Sequence, residues 1–506
     1  MYFIIEVERY LTTKERIPDK MKHSLNSEPA DGDQTQNWTP PSSLAELACG
    51  IDPIAFHDAG LLAEEIDSTS PHLPKSSLRE NIAWLSALQI VNYLLPLVTI
   101  PFLIRVLGVG KYGILSFCIT VAQYMVVFTD YGFNLSATRQ VAFLRDSRLE
   151  LERAASAVFA FKFALLLTCG LALVAFLYFM PKYQPWAGVM AAAFLIVVGS
   201  AAFPTWLFQG LQDMRIITVI TVIGRIICTS AIFLTVHSSR DLLNAVLWSS
   251  ASFPISAVLS WFVIYKRYRL RLHLPSLRSL SDACKSGFHT FVSSMMSNGL
   301  ANGAVLVLGF LAPPEIVGTY AGLEKIAKAG SMALAPITQS LYPRSAEQFA
   351  ISHAAGCAFV LRSGKRLLLL TGVICGGLIL FAKFSILLIF GASFVHFYPV
   401  VWILALWLFL GVLNNILGIQ YLLGSGRASS YSGAFTCATI ATFLLLFLLI
   451  PRNQCMGAAV AITLGEALLT LMMACSIRRS WNKNRPQGPI SDSNANKFAS
   501  YDEHAA

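Results

Sequence analysis

The sequence contains little charge for its size. Asp, Glu, Lys and Arg together make up 13% of its 506 residues, whereas 55% are hydrophobic and the mean hydropathy is +0.60. Soluble globular domains carry about 25% charged residues. A water-soluble protein is therefore excluded, and the composition predicts an all-α polytopic membrane protein.

The sequence also lacks the motifs of metal, cofactor and catalytic sites. Its ten cysteines form no Cys-x-x-Cys pair, and most lie in apolar stretches, as small buried hydrophobic residues do. Residues 424–427, Gly-Ser-Gly-Arg, resemble a phosphate loop, but no strand and no Walker lysine accompany them, so we interpret them as a tight turn. We expect no cofactor and no metal. With no nucleophile–base set and only short outer loops, an enzyme such as a polymerase or glycosyltransferase is disfavoured.

The net charge of +10 is unevenly distributed along the chain. Residues 1–80 carry 14 acidic and 7 basic side chains, which leaves 14 acidic and 31 basic side chains for the remainder. These basic residues are scattered between hydrophobic segments rather than clustered on one domain. A nucleic-acid partner is therefore disfavoured, and membrane topology explains the excess better.

Residues 1–77 differ in composition from the rest of the chain. They mix Pro, Ser, Asp and Glu, and residues 1–10 lack the apolar core of a secretory signal. We predict that residues 1–77 form a disordered or weakly folded cytoplasmic extension whose role the sequence does not indicate.

From Asn81 onward, twelve hydrophobic segments are long enough to cross a membrane. An even number of spans puts both ends of the chain on one side. The predicted spans are residues 82–105, 114–135, 154–180, 187–208, 217–236, 243–265, 288–311, 319–341, 366–390, 400–420, 431–450 and 457–477.

The loops between these spans differ in positive charge. Most Lys and Arg residues follow the even-numbered spans, and five lie in the opposite loops, namely Arg105, Lys111, Lys182, Arg240 and Arg452. The positive-inside rule therefore predicts cytoplasmic termini. The densest basic cluster, residues 266–271, is interpreted as an anchor on anionic lipid at the start of a linker over residues 266–287.

A short internal repeat indicates two halves. Residues 109–115 (VGKYGIL) match residues 317–323 (VGTYAGL), each after the first span of a six-span set. The two sets cross the membrane in the same direction, so the repeat is parallel. We predict lobes over residues 78–265 and 288–477 and a cytoplasmic tail over residues 478–506.

Charged residues within spans are costly, at about 2.5–3.5 kcal/mol each, so each needs a reason. Arg225 lies on a polar stripe with Thr218, Thr221 and Thr229, which predicts a wet interior. The cations within the predicted spans are Lys162, Arg225, Lys325, Lys328 and Lys383.

Most of the other cations within the spans can be explained without a binding role. Glu324 and Lys328 are four residues apart and can neutralise each other, which would leave Lys325 as the freer charge. Lys162 has no polar stripe, so a cavity role and an interhelical ion pair are equally open. Lys383 lies near the outer end of its span, from which it can reach water.

Two acidic residues in or beside the membrane are candidates for coupling. Glu466 lies near the middle of the last span, as a proton site or as a neutral acid that is hydrogen-bonded between helices. Asp130 lies closer to water, where an ion pair with a nearby Arg is its alternative.

One stretch carries a specific resemblance. Residues 130–139, Asp-Tyr-Gly-Phe-Asn-Leu-Ser-Ala-Thr-Arg, follow a hydrophobic span in which Thr120 and Gln123 are polar. Gly132 allows the chain to turn, and the helix predicted beyond it, with Ala137 and Val141 on its apolar face, suits the headgroup layer. The string resembles the signature of bacterial O-antigen and polysaccharide flippases of the Wzx type, in the MOP exporter superfamily, through Asp130, Tyr131, Gly132, Asn134, Thr138 and Arg139.

The resemblance implies a MOP/MATE-like fold and a substrate. It implies movement of undecaprenyl-pyrophosphate-linked oligosaccharide across the bacterial inner membrane by alternating access, for O-antigen, capsule or exopolysaccharide synthesis. The partners implied are this lipid-linked substrate, membrane lipid, and a polysaccharide polymerase and co-polymerase. The alternative is a multidrug or ion antiporter of the same superfamily.

On this reading, cations face the pyrophosphate, with Arg225 as the better clamp because its planar fork pairs two oxygens. No ATP site is evident, so an ion gradient or consumption of the substrate outside must drive transport. We predict Arg225, Lys325, Lys328 and Lys162 as the substrate-binding set. Coupling or gating is predicted for Asp130, Glu324 and Glu466.

Overall fold

The hydrophobic segments of the chain form helices in the computed structural model, which describes residues 78–144, 147–273 and 275–483. That part of the chain contains no β-strand. The predicted extension over residues 1–77 and the end of the predicted tail, residues 484–506, lie outside the described residues.

The α-helices of the described chain are numbered in order. They are α1 (Leu78–Leu107), α2 (Val109–Asp130), α3 (Phe133–Leu144), α4 (Arg148–Phe179), α5 (Ala187–Ala202), α6 (Thr205–Gly210), α7 (Met214–Thr235), α8 (Leu242–Val263), α9 (Leu277–Leu311), α10 (Pro314–Ile351), α11 (His353–Leu380), α12 (Ala382–Phe390), α13 (Tyr398–Asn414) and α14 (Ala428–Lys483). Short 3₁₀-helices cover Pro181–Trp186, Ser239–Asp241 and Ala392–Phe397, and π-helices cover Ile264–Tyr268 and Asn415–Leu423.

Ten segments of the described chain are long and apolar enough to cross a membrane. One of them, Ala428–Arg479, contains two of the predicted spans and is broken at Gln454, where φ is 45° and ψ is −118°. Helix α10 is not among the ten because its charged residues, including Glu324, Lys325 and Lys328, lower its hydropathy. These two differences account for the step from twelve predicted spans to ten segments. The chain is a multi-pass helical membrane protein.

The predicted second span divides into two helices. Tyr131 and Gly132 adopt φ values of 45° and 77°, which end α2 and begin α3. The apolar face of α3 was expected to rest in the membrane surface, and this is wrong for Ala137 and Val141, which are buried in a protein core. Gly210 of α6 lies directly against Val141 and leaves no room for a side chain of its own.

The repeated sequences of the two predicted halves contact each other. Gly113 in α2 packs against the backbone of Pro314 and Gly318 in α10, and Gly318 packs against the backbone of Val109 and Gly113. A Cβ atom on either glycine would collide with the other helix, so only glycine permits this approach. One hydrophobic core continues across it, and the described residues lie in a single unit over Ser76–Ala506. The two lobes stay a prediction within that unit.

Candidate functional site

A cavity of about 270 Å³ lies among α1, α2, α7, α8, α9 and α10. Its walls come from both predicted halves of the chain. Arg225 of α7 and Lys325 of α10, which the sequence analysis singled out separately, both line it. The fold therefore brings together two cations that are one hundred residues apart in the sequence.

Arg225 faces this cavity with the residues that follow it on one side of α7. Cys228 and Thr229 also line the cavity, whereas Thr218 is buried and donates to the Trp84 carbonyl at 3.0 Å. Gly224, beside Arg225, packs closely on Ser256 of α8 and holds the helix in this rotation. The Arg225 side chain makes no hydrogen bond or ion pair with the residues described.

Lys325 and Lys328 lie on the same helix but in different environments. Lys328 Nζ lies 3.1 Å from a Glu324 carboxylate oxygen and donates to the Ala301 carbonyl at 2.9 Å and to Asn302 Oδ1 at 3.1 Å. Its charge is therefore neutralised within the wall, as the spacing of four residues suggested. Lys325 lines the cavity and has no such partner in the described part of the chain.

Lys162 does not line the cavity. It is one of the most buried side chains of the protein, and its ammonium donates to Asp130 Oδ1 at 2.8 Å and to the Ser200 carbonyl at 3.3 Å. Of the two roles open from the sequence, the structure has the interhelical ion pair. The partner of Asp130 is thus a lysine, whereas the alternative open from the sequence was an arginine.

Glu466 lies in a separate, mostly apolar cavity in the second half of the chain. Asn414 Nδ2 donates to its carboxylate at 2.6 Å, and Thr470 Oγ1 donates to Asn414 Oδ1 at 2.7 Å. Ser297, Asn414, Tyr431 and Glu466 line this cavity. Within the described ranges no cation pairs with Glu466, unlike Asp130 and Glu324.

Lys383 is exposed near the beginning of α12 and lies 4.8 Å from the centre of the Tyr398 ring. It takes no part in the cavity. Its contact is a surface cation–π interaction, which is worth about 0.5–1 kcal/mol at an exposed site.

The ten-residue motif forms a junction between the two predicted halves. The Tyr131 ring stacks on Phe291 of α9 at 4.9 Å, and the Tyr131 hydroxyl lies 3.3 Å from Cys284 Sγ. A Cβ atom on Gly132 would meet Thr290 and the backbone of Gly287 and Phe291. These contacts hold the end of α2 against α9.

The remaining motif residues secure α3. Asn134 Nδ2 donates to Asp130 Oδ2 at 3.1 Å, and Thr138 Oγ1 donates to the Asn134 carbonyl at 2.8 Å and to the Trp206 carbonyl at 3.2 Å. Arg139 is exposed, and its guanidinium lies 5.8 Å from the Phe143 ring centre. The motif side chains therefore organise a turn and lie outside the cavity.

The basic segment after α8 is held by two carboxylates that the sequence analysis did not single out. Glu152 accepts from Arg148 Nε at 3.2 Å and from the Arg271 backbone N–H at 3.1 Å, and it lies 3.1 Å from His273 Nε2. Asp213 forms a 3.2 Å ion pair with Arg267 and accepts from the Tyr268 hydroxyl at 2.9 Å. The start of the linker is therefore docked on protein, although the side chains of Lys266, Arg267, Arg269 and Arg271 stay exposed.

Residues 424–427 form a turn. Each of their four backbone N–H groups donates to a carbonyl of the preceding π-helix, so none is left for a phosphate group. Sequence reasoning did not identify Gln123 and Trp248 as residues of this cavity. Gln123 had a signal, as a polar residue in an apolar run, whereas Trp248 had none.

Comparisons with known proteins agree with this architecture. The family model described as "Polysaccharide biosynthesis protein" matches residues 78–349. A protein of Escherichia coli (strain K12) named "Putative O-antigen transporter" is 30% identical over 406 residues, which cover 80% of this chain and 98% of that protein.

Two solved structures share the fold at low sequence identity. The lipid II flippase MurJ, in an inward closed conformation, has a TM-score of 0.61 at 12% identity and covers 78% of this chain and 87% of its own. An inward-facing multidrug resistance MATE family transporter of the MOP superfamily has a TM-score of 0.58 at 13% identity and covers 78% of this chain and 100% of its own. The chain therefore belongs to the polysaccharide biosynthesis protein family, and the resemblance of residues 130–139 to the polysaccharide flippases of the MOP superfamily is confirmed.

Proposed function

We propose that this protein moves undecaprenyl-pyrophosphate-linked oligosaccharide repeat units from the inner to the outer leaflet of the bacterial inner membrane. The observation that carries the proposal is that Arg225 and Lys325 line one cavity between the two halves and have no partner among the described residues. The O-antigen transporter relative supports the same substrate class.

An unpaired cation in a membrane-spanning helix destabilises the protein unless a ligand supplies the compensating negative charge. An arginine or lysine in a spanning helix costs at least about 2.5–3.5 kcal/mol. A pyrophosphate offers two adjacent anionic groups. The planar fork of Arg225 can pair with two phosphate oxygens, and Lys325 adds a point charge. Lys328 and Lys162 are already neutralised by Glu324 and Asp130, so we leave them outside the binding set.

Transport on this proposal requires the two halves to move relative to each other around the cavity, with both termini in the cytoplasm. Two sets of contacts between the halves must change. One contains Gly113, Gly318 and the hydrogen bond from Lys182 Nζ to the Phe310 carbonyl, at 3.1 Å. The other is the stacking of Tyr131 on Phe291.

Glu466 is the proposed coupling residue. A buried carboxyl group with an amide partner and no cation in the described chain can take up and release a proton without breaking an ion pair. Asp130 and Glu324 are each committed to a lysine, so proton uptake there would leave a buried cation uncompensated. The drive is then a proton gradient.

The test is polymer export in a strain that lacks its own flippase, normalised to the amount of protein in the membrane. Arg225→Ala and Lys325→Ala should each reduce export at least tenfold at normal abundance, and Arg225→Lys should restore only part of it because the bidentate fork is lost. Lys383→Gln, a cation outside the cavity, is the matched control and should export normally.

The same strains separate this function from multidrug export. Lipid-linked repeat units should accumulate in the inner leaflet of the Arg225→Ala strain, with drug sensitivity unchanged. A changed drug sensitivity with normal export would instead favour the antiporter. Near-normal export by Arg225→Gln at normal abundance would remove Arg225 from the substrate site.

A further inference from the structure

Two uncharged residues of the same cavity also make no hydrogen bond with the residues that the structure describes. We propose that Gln123 of α2 and Trp248 of α8 recognise the sugar that is bonded to the pyrophosphate. This inference rests on the proposed function, because it assigns the neutral wall of the cavity whose cations bind the pyrophosphate.

The Gln123 amide is free to bind a ligand. Its side chain is exposed, it lines the cavity, and it makes no hydrogen bond with any described residue. Thr120, one turn earlier and also on the cavity wall, is already satisfied because its hydroxyl donates to the Ser116 carbonyl at 2.8 Å. A primary amide offers two donors and an acceptor, the set that pairs with hydroxyl or acetamido groups.

Trp248 supplies an aromatic surface in the same cavity. The side chain is half-buried, packs partly against the hydrophobic core and lines the cavity. Its indole nitrogen makes no hydrogen bond to the described chain, and it is not enclosed, in contrast to the buried unpaired nitrogens of Trp206 and Trp407. An aromatic ring with a free N–H group suits a sugar, which presents apolar C–H faces and hydroxyl rims.

The charged and the neutral groups of the cavity wall come from different helices. The two cations without a partner in the described chain lie on α7 and α10, whereas Gln123 and Trp248 lie on α2 and α8. A cationic drug would also suit an aromatic wall, but Arg225 and Lys325 in the same space would repel it. Since the first sugar is bonded directly to the pyrophosphate, its recognition group must lie in the cavity that holds these cations.

The experiment measures binding of two lipids to the full-length protein in nanodiscs. The probes are undecaprenyl pyrophosphate carrying one N-acetylglucosamine and undecaprenyl pyrophosphate without a sugar. The wild type should bind the sugar-bearing lipid about tenfold more tightly, a factor that one hydrogen bond and one stacking contact supply. Gln123→Ala and Trp248→Leu should each reduce this ratio severalfold and leave the affinity for the bare lipid unchanged.

Two controls and the alternative results make the test decisive. Gln184→Ala and Trp402→Leu change exposed residues outside the cavity and should keep the wild-type ratio.

An unchanged ratio in both Gln123→Ala and Trp248→Leu would overturn the inference, as would equal binding of the two lipids by the wild type, while the proposed function would stand. Absence of binding of either lipid by the wild type would overturn the proposed function itself. Since Gln123→Ala removes an exposed side chain, it keeps the test valid even if Trp248→Leu fails to fold.

Discussion

The Lys162 ammonium lies 2.8 Å from the Asp130 carboxylate, and 2% of the Lys162 side chain is exposed. The pair joins the end of α2 to the middle of α4, and the Ser200 carbonyl adds a third helix to it. A buried charge of this kind is stable only while its partner is present. The pair therefore holds the first residue of the family motif in place.

Removing one partner of this ion pair should destabilise the protein more than removing both partners. Asp130→Asn leaves the Lys162 cation buried and uncompensated, which should reduce stability by about 3–5 kcal/mol. The double variant Asp130→Asn with Lys162→Met should recover much of that loss. The measurement is the thermal unfolding midpoint of the purified protein, with the exposed Lys266→Met as control. A double variant no more stable than Asp130→Asn would contradict this account.

Gly132 combines a left-handed backbone with a close contact, and Gly108 provides a control for the backbone strain alone. Gly132→Ala introduces both strain at φ 77° and a collision with α9, whereas Gly108→Ala introduces only the strain, at φ 81° with open space around it. Strain alone costs about 1–3 kcal/mol. We expect Gly108→Ala to retain most export and Gly132→Ala to abolish it, in the same strain and at matched protein levels. Equal export by the two variants would show that the contact with α9 is dispensable.

Glu152 should hold the predicted linker in place. Glu152→Gln removes a charge that three groups contact, including the backbone of Arg271, and each such bond contributes about 1.5–3 kcal/mol. The linker should then open more often, and trypsin should cleave after its arginines several times faster in native membranes. Glu150→Gln, two residues away and exposed, serves as the control. Cleavage at the wild-type rate in Glu152→Gln would place the anchor elsewhere.

Glu466→Gln should abolish the acceleration of transport by a proton gradient. Glutamine keeps an oxygen that can accept from Asn414, so the variant should fold normally while losing the proton site. In proteoliposomes, an imposed pH gradient should accelerate lipid translocation by the wild type and not by the variant. An equal response to the gradient in both proteins would remove Glu466 from the coupling mechanism.

Local spacing predicted part of the site. Glu324 and Lys328 are four residues apart on one helix, so the sequence spacing predicts that they pair. Lys325 is then predicted to be the cation of this helix without a partner. Arg225 was identified because polar residues recur on its side of α7. Each of these conclusions depends on one helix at a time.

Contacts between distant segments were not predictable from one sequence. Lys162 and Asp130 are 32 residues apart, and only the packing of α4 on α2 decides between a cavity role and an ion pair. The docking of the linker on Glu152 and Asp213 depends on the same kind of tertiary contact, so its basic residues were interpreted only as a lipid anchor. Trp248 lies between Leu247 and Ser249 within a predicted span, where a tryptophan fits core packing as well as a cavity wall.

The contact between Gly113 and Gly318 has the position of a pivot, near the first residue of the long helix α10. Helix α10 begins at Pro314, just before this contact, and continues to Ile351. Lys325 lies about 10 Å from Gly318 along the helix and Ile351 about 50 Å, so a rotation of about 10° would displace them by about 2 Å and 9 Å respectively. Such a rotation would therefore move the far end of the helix several times farther than Lys325, which lines the cavity.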